Sequence, residues 1–168
     1  MTEEKVLLQA ILCFPVKDGK VLLGKKVKKI GAGYWNGYGG GIEEGETPLE
    51  AAVRELEEEC GLVADPKYME KVAIANLTNT KTDGEKFVCQ VHVFIARRWT
   101  GKPKPTDEMA TPTWFYLDKL PLRDMMSGDR MWLPTVLRGQ KLIVSARYGP
   151  LQKELLEPIS TKKVQQLP

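Results

Sequence analysis

Residues 31–62 read GAGYWNGYGGGIEEGETPLEAAVRELEEECGL, and the second half of this stretch fixes a helix before anything else in the chain is read. Thr47 is followed by Pro48 and, three residues after the threonine, by Glu50, a capping box with proline at the first helical position. Gly61 supplies a left-handed stop, so the spacing predicts a helix over residues 48–60. At about 100° per residue, Leu49, Ala52, Val53, Leu56 and Cys60 share one apolar face.

Glu55, Glu58 and Glu59 fall at i, i+3 and i+4 on an arc beside that face. A solvated acidic face usually interleaves Lys or Arg, and here Arg54 alone does so. Like charges at these spacings cost about 0.2 to 0.5 kcal/mol each, a cost that a divalent cation converts to attraction. Carboxylate oxygens with no Cys or His beside them suit Mg²⁺ or Mn²⁺. From the helix alone a metal site and a solvated face stand level.

Ahead of the helix, six glycines between Gly31 and Gly41 are interleaved with Tyr34, Trp35, Asn36 and Tyr38. Glycine weakens regular structure, so this backbone must turn through positive φ or approach something closely. Neither a dinucleotide fingerprint nor a P-loop is present. Tyr34 and Trp35 read as packing residues that frame the loop. Asn36 reads as bonded either to a ligand or to the backbone of a turn. Lys26, one of four lysines in "KKVKK", reads equally as a ligand contact or as an exposed strand end.

Apolar, β-prone runs surround the helix. "VLLQAILCFPV" and "KVLLGKK" flank Asp18-Gly19, and "VAIANLTN" and "KFVCQVHVFIARRW" flank Asp83-Gly84, two hairpin signals. "TWFYLD" from Thr113 and "KLIVSARY" from Lys141 read as further strands, and residues 129–137 as a second helix. The pattern is mixed α/β. His92, within "VCQVHVFI", reads as a hydrogen-bonded strand residue outside any site.

The chain has 168 residues, 42% hydrophobic and 28% charged, with net charge +3, which suits one globular domain and gives no nucleic-acid footprint. The domain is expected over 1–155 with a frayed tail at 156–168, because "EPISTKKVQQLP" lacks periodicity. Cys13, Cys60 and Cys89 are odd in number, without CxxC spacing, and are expected to be buried thiols. The opening "MTEEKVLL" has no basic n-region, and no run reaches the ~20 apolar residues of a membrane span. A cytoplasmic protein without membrane or stable nucleic-acid partners is expected; the sequence leaves its oligomeric state open.

Gly40, five residues, Glu46, seven residues, then Arg54-Glu55-Leu56-x-Glu58-Glu59-x-Gly61-Leu62 matches the box of the Nudix family. The resemblance implies an α/β/α sandwich with a mixed sheet, in which loop, helix and loop hold Mg²⁺ against a nucleotide diphosphate. "LLGKK", "GAGYWNGYGGGIEEGET", "DEMATPTWFYLDKLPLRDM" and "WLP" further resemble the oxidised-purine nucleoside triphosphatase branch of MutT homologues.

On that resemblance, Glu55, Glu58 and Glu59 hold metal, Gly40 offers its carbonyl, Glu108 adds a carboxylate from a loop, and Arg54 orients a helix carboxylate. Asn36 and Asp129 read the purine edge, Lys26 lies near the ligand, and Trp132 lines the pocket. Met126 stands where the branch has a stacking tryptophan, and Gly128 where it has the first of two aspartates. The implied activity is hydrolysis of modified purine triphosphates to monophosphate and pyrophosphate. The box itself recognises only a diphosphate, so a nucleotide-sugar or ADP-ribose pyrophosphatase and a nucleotide-sensing binding module stand as alternatives.

Overall fold

The computed structural model describes residues 6–168; the first five residues of the expected domain, with the acids of its opening, lie outside them. Strands β1 (Gln9–Lys17) and β2 (Lys20–Lys26) form the first hairpin, and Asp18 and Gly19 both turn through positive φ as a two-residue hairpin requires. β3 (Trp35–Asn36) and β4 (Tyr38–Gly41) follow, then helix α1 (Pro48–Cys60) and the short β5 (Val63–Ala64). The second hairpin joins β6 (Met69–Thr80) to β7 (Lys86–Ala96) with Gly84 in its turn. β8 (Trp99–Thr100), β9 (Met109–Tyr116), helix α2 (Ser127–Leu137), β10 (Lys141–Pro150) and β11 (Ser160–Val164) complete the chain.

Among the described residues, nine strands make one mixed sheet along the path β11-β10-β6-β7-β1-β2-β3, with β4 added to β1 and β9 to β2. Within it β1 pairs parallel with β7, and β6 with β10. β5 and β8 form a separate two-stranded piece.

Period-two alternation along β1 explains why a helix lies on each face. Ile11 and Cys13 join the buried cluster containing Ala51, Ala52, Leu56 and Cys60 of α1, while Phe14 and Val16 join the one containing Trp132, Leu133, Val136 and Leu137 of α2. The α/β/α layering follows from this division. Leu56 has no exposed surface, and truncating such a side chain to alanine costs about 2 to 5 kcal/mol. All three cysteines are buried and unbridged.

The expected frayed tail is a correction: Ser160–Val164 pairs antiparallel with β10 from Ser145↔Ser160 to Lys141↔Val164. The strand is exposed over residues 160–163, so it is held by ladder bonds at a sheet edge and carries no buried apolar stripe. Tyr34 also departs from expectation, being exposed, whereas Trp35 packs edge-on against Phe115 with ring centroids 5.0 Å apart. No helix among the described residues is long and apolar enough to cross a membrane.

Candidate active site

The capping box forms as the sequence predicts: Thr47 Oγ1 accepts from Glu50 N–H and Glu50 Oε1 from Thr47 N–H, each at 3.1 Å. Gly61, at φ 80°, closes the helix with its N–H donating to Glu57 O. α1 is thereby fixed in register against β4, and two glutamates face that strand's glycines. Gly39 N–H donates to Glu59 Oε1 at 2.6 Å, and a Cβ on Gly40 would run into the Glu55 carboxylate. Glycine at 40 thus leaves the space that the Glu55 carboxylate occupies, and a larger residue there would push that side chain aside. At Gly39 a Cβ would collide with the Ile11 carbonyl of the paired strand, a constraint of the fold.

Arg54 ties the box together. Its Nε and Nη2 donate to Glu46 at 2.8 and 2.9 Å, its Nη2 also to Gly41 O at 3.0 Å, and its Nη1 to Glu55 Oε1 at 2.9 Å and Glu58 Oε2 at 3.3 Å. This bidentate fork holds the Glu46 carboxyl down at about 2 and the guanidinium above its ordinary range. Glu46, matched in the box but not assigned a role from sequence, is the arginine's anchor.

Glu59 is 6% exposed, and burial, opposed by the Gly39 N–H and reinforced by the charges of Glu55 and Glu108, raises its carboxyl to about 8. Burial raises Glu55 also, against the pull of Arg54 and with the charges of Glu58 and Glu108 adding to the rise. Glu108 sits in the exposed loop before β9, where its carbonyl accepts from Val27 N–H at 3.0 Å. Glu58 lies on the solvent side, its side chain 57% exposed. Among the described residues no three carboxylate, imidazole or thiolate groups already stand together as an ion would gather them, so the convergence expected from helix spacing is partial. The arrangement nonetheless fits a hard divalent cation: the donors are all oxygen, several repel one another, and Gly40 leaves room beside Glu55.

A cavity of about 200 Å³ opens from Glu59, Gly39 and Gly40 and is lined further along by Lys26, Asn36, Met126, Asp129 and Trp132. Each base-pocket residue expected from sequence is thus at one cavity wall. Asn36 Oδ1 accepts from Gly37 N–H at 2.7 Å, as the turn-backbone reading expects, and the residue also lines the cavity. Lys26 is half-buried and lines the cavity together with Glu59 and Asp129, and its charge opposes the rise of both carboxyls. Burial raises Asp129 to about 6, against that lysine. Glu55, Glu58 and Glu108 lie off the cavity wall. His92, as expected, stays outside, its Nε2 2.9 Å from Gln9 Oε1.

A family model described as the NUDIX domain matches residues 6–136. The chain belongs to the Nudix family. It is 40% identical over 134 residues to the oxidized purine nucleoside triphosphate hydrolase of Danio rerio, a match covering 79% of this chain and 81% of that one. The protein of the same name from Mus musculus is 40% identical over 130 residues, covering 77% and 80%. Among solved structures, the MutT mutator protein of Bacillus halodurans superposes with a TM-score of 0.76 at 25% identity, over 92% of this chain and 97% of that one. As a Nudix protein the chain works with a divalent metal on a small nucleotide substrate. The Nudix match stops at residue 136, yet two cavity-lining residues, Tyr148 and Gln152, lie beyond it on β10 and the turn that follows. Sequence reasoning missed both.

Proposed function

We propose that this Nudix protein hydrolyses oxidised or alkylated purine nucleoside triphosphates to the monophosphate and pyrophosphate, clearing damaged nucleotides from the cytoplasmic pool with Mg²⁺, or Mn²⁺ in its place. One observation carries the reading: a single cavity runs from the box residues Gly40 and Glu59 to Asn36, Asp129 and Trp132, so one ligand reaches both ends. The 40% identity to proteins named for oxidised purine triphosphates supports it, and the three buried thiols suit a reducing compartment.

Glu55, Glu58 and Glu59, with the Gly40 carbonyl and Glu108, would hold the cation. When bound, it supplies charge neutralisation at the diphosphate and a water of lowered pKa. Arg54 Nη1 donates to both Glu55 and Glu58 and so restricts where their carboxylates can turn. A box carboxylate accepts the proton of the attacking water. Lys26 balances phosphate charge on the cavity side. Asn36 has its Nδ2 donor left to offer the base, and Asp129 accepts from a ring N–H or, while protonated, donates to a carbonyl. Trp132 and Met126 present apolar surface to the ring.

Incubation with 8-oxo-dGTP, O6-methyl-dGTP, dGTP, a pyrimidine triphosphate and ADP-ribose, with products identified, tests the reading. Purine triphosphates should give the higher kcat/KM and release pyrophosphate; a preference for ADP-ribose would replace the base pocket with a sugar-nucleotide site.

A further inference from the structure

Gly128 is where the resemblance would place an aspartate, and the reason for the glycine lies in β10, packed directly against it. A Cβ built on Gly128 would overlap the Tyr148 hydroxyl, lies 3.0 Å from Tyr148 Cζ, and meets Ile159 Cδ1 at 3.5 Å. Tyr148 therefore fills the space a side chain at 128 would need. The tyrosine is 5% exposed, lines the same cavity as Asp129, and is pinned in β10 where its carbonyl accepts from Thr80 Oγ1 at 2.9 Å.

From this the geometry points to Tyr148 as a specificity-determining residue, whose hydroxyl takes over the base contact that Gly128 cannot make and reads the purine edge beside Asp129. The inference rests on the purine triphosphate reading above. Burial, and after it the Asp129 charge, keep the phenol above its ordinary range, so it enters the contact as a neutral O–H. A neutral phenol differs from a carboxylate in one respect that matters: it donates to a bare ring nitrogen and accepts from a ring N–H with equal ease, by rotation of the hydroxyl. Oxidation at C8 converts the N7 lone pair of a purine into an N–H. A site reading that edge through a hydroxyl tolerates both forms, whereas an ionised carboxylate welcomes only the second.

Four variants test this on 8-oxo-dGTP and dGTP, with thermal unfolding as a check on the fold. Tyr148→Phe removes one oxygen atom and should raise KM about tenfold on both purines with kcat nearly unchanged. Gly128→Ala, which pushes the hydroxyl away, should do the same in the wild-type background and add little to Tyr148→Phe. Gly128→Asp combined with Tyr148→Phe should shift the kcat/KM ratio toward 8-oxo-dGTP by about tenfold relative to wild type. Unchanged KM in a folded Tyr148→Phe, or in Gly128→Ala should the former not fold, overturns the inference while leaving purine triphosphatase activity standing. A wild type that ignores both purines overturns the functional reading and this inference together.

Discussion

Arg54 Nη1 lies 2.9 Å from Glu55 Oε1 while the same guanidinium grips Glu46 through Nε and Nη2. Neighbours on a helix do not face one another. The contact exists because Glu46, in the preceding loop, draws the guanidinium back across the helix start. Replacing Arg54 by lysine keeps the charge and loses the fork. Arg54→Lys should lower kcat by up to about a hundredfold through misplacement of the carboxylates, with a smaller effect on KM. An NMR titration should show the Glu46 carboxyl moving from about 2 toward its ordinary value; wild-type kcat in this variant would remove Arg54 from the positioning role.

Glu58→Gln removes a charge at equal volume from a side chain that is largely exposed. The melting temperature should stay close to wild type, while kcat falls by orders of magnitude at saturating Mg²⁺. Near-normal turnover with retained metal affinity would take Glu58 out of the metal site. Glu108→Gln, on a loop tied to α1 by the Thr106 hydroxyl donating to Glu59 O at 3.0 Å but whose own carboxylate reaches Glu55 and Glu59 through its charge, should cost less in both rate and metal affinity.

Adjacent glycines should separate fold from site. Gly39→Ala forces a Cβ against the Ile11 carbonyl and should destabilise the protein by about 1 to 3 kcal/mol in urea unfolding. Gly40→Ala forces it against the Glu55 carboxylate, a side chain that can move, so stability should change less and turnover more. Equal loss of stability in the two variants would contradict the distinction.

How much of this was legible in the residues depended on whether the signal was local. α1 was readable to its ends because Thr47, Pro48, Glu50 and Gly61 each satisfy an orphan group within one helical turn. Both hairpins were readable because Asp-Gly pairs adopt the φ their turns need. Tyr148 was not readable, because the parallel pairing of β10 with β6, set across some seventy residues of chain, delivers it to the cavity. The following turn bends through positive φ at Leu151 and Gln152, residue types that carry no turn signal of that kind. β11 was missed because an exposed edge strand buries no alternate residues and so leaves no period-two pattern.

Asp129 gives the pH test. Its folded pKa, about 6, lies above its ordinary 3.8, so between those values the folded chain holds a proton that the unfolded chain has released. This group therefore lowers stability as pH rises from about 4 to 6, and its penalty is complete above that. Asp129→Asn should gain stability relative to wild type across the same window and hold the gain to pH 8. A stability difference independent of pH would show that the carboxyl is not desolvated.

The central claim, that one cavity holds a purine while the box cleaves its triphosphate, is tested most directly by comparing kcat/KM for wild type and Asp129→Ala on 8-oxo-dGTP and ADP-ribose, with Mg²⁺ present and products resolved. The account predicts that wild type prefers 8-oxo-dGTP and releases pyrophosphate. Asp129→Ala should lose about tenfold to a hundredfold on 8-oxo-dGTP, chiefly through KM. Preference for ADP-ribose, release of orthophosphate in place of pyrophosphate, or an Asp129→Ala variant indistinguishable from wild type on 8-oxo-dGTP would contradict it.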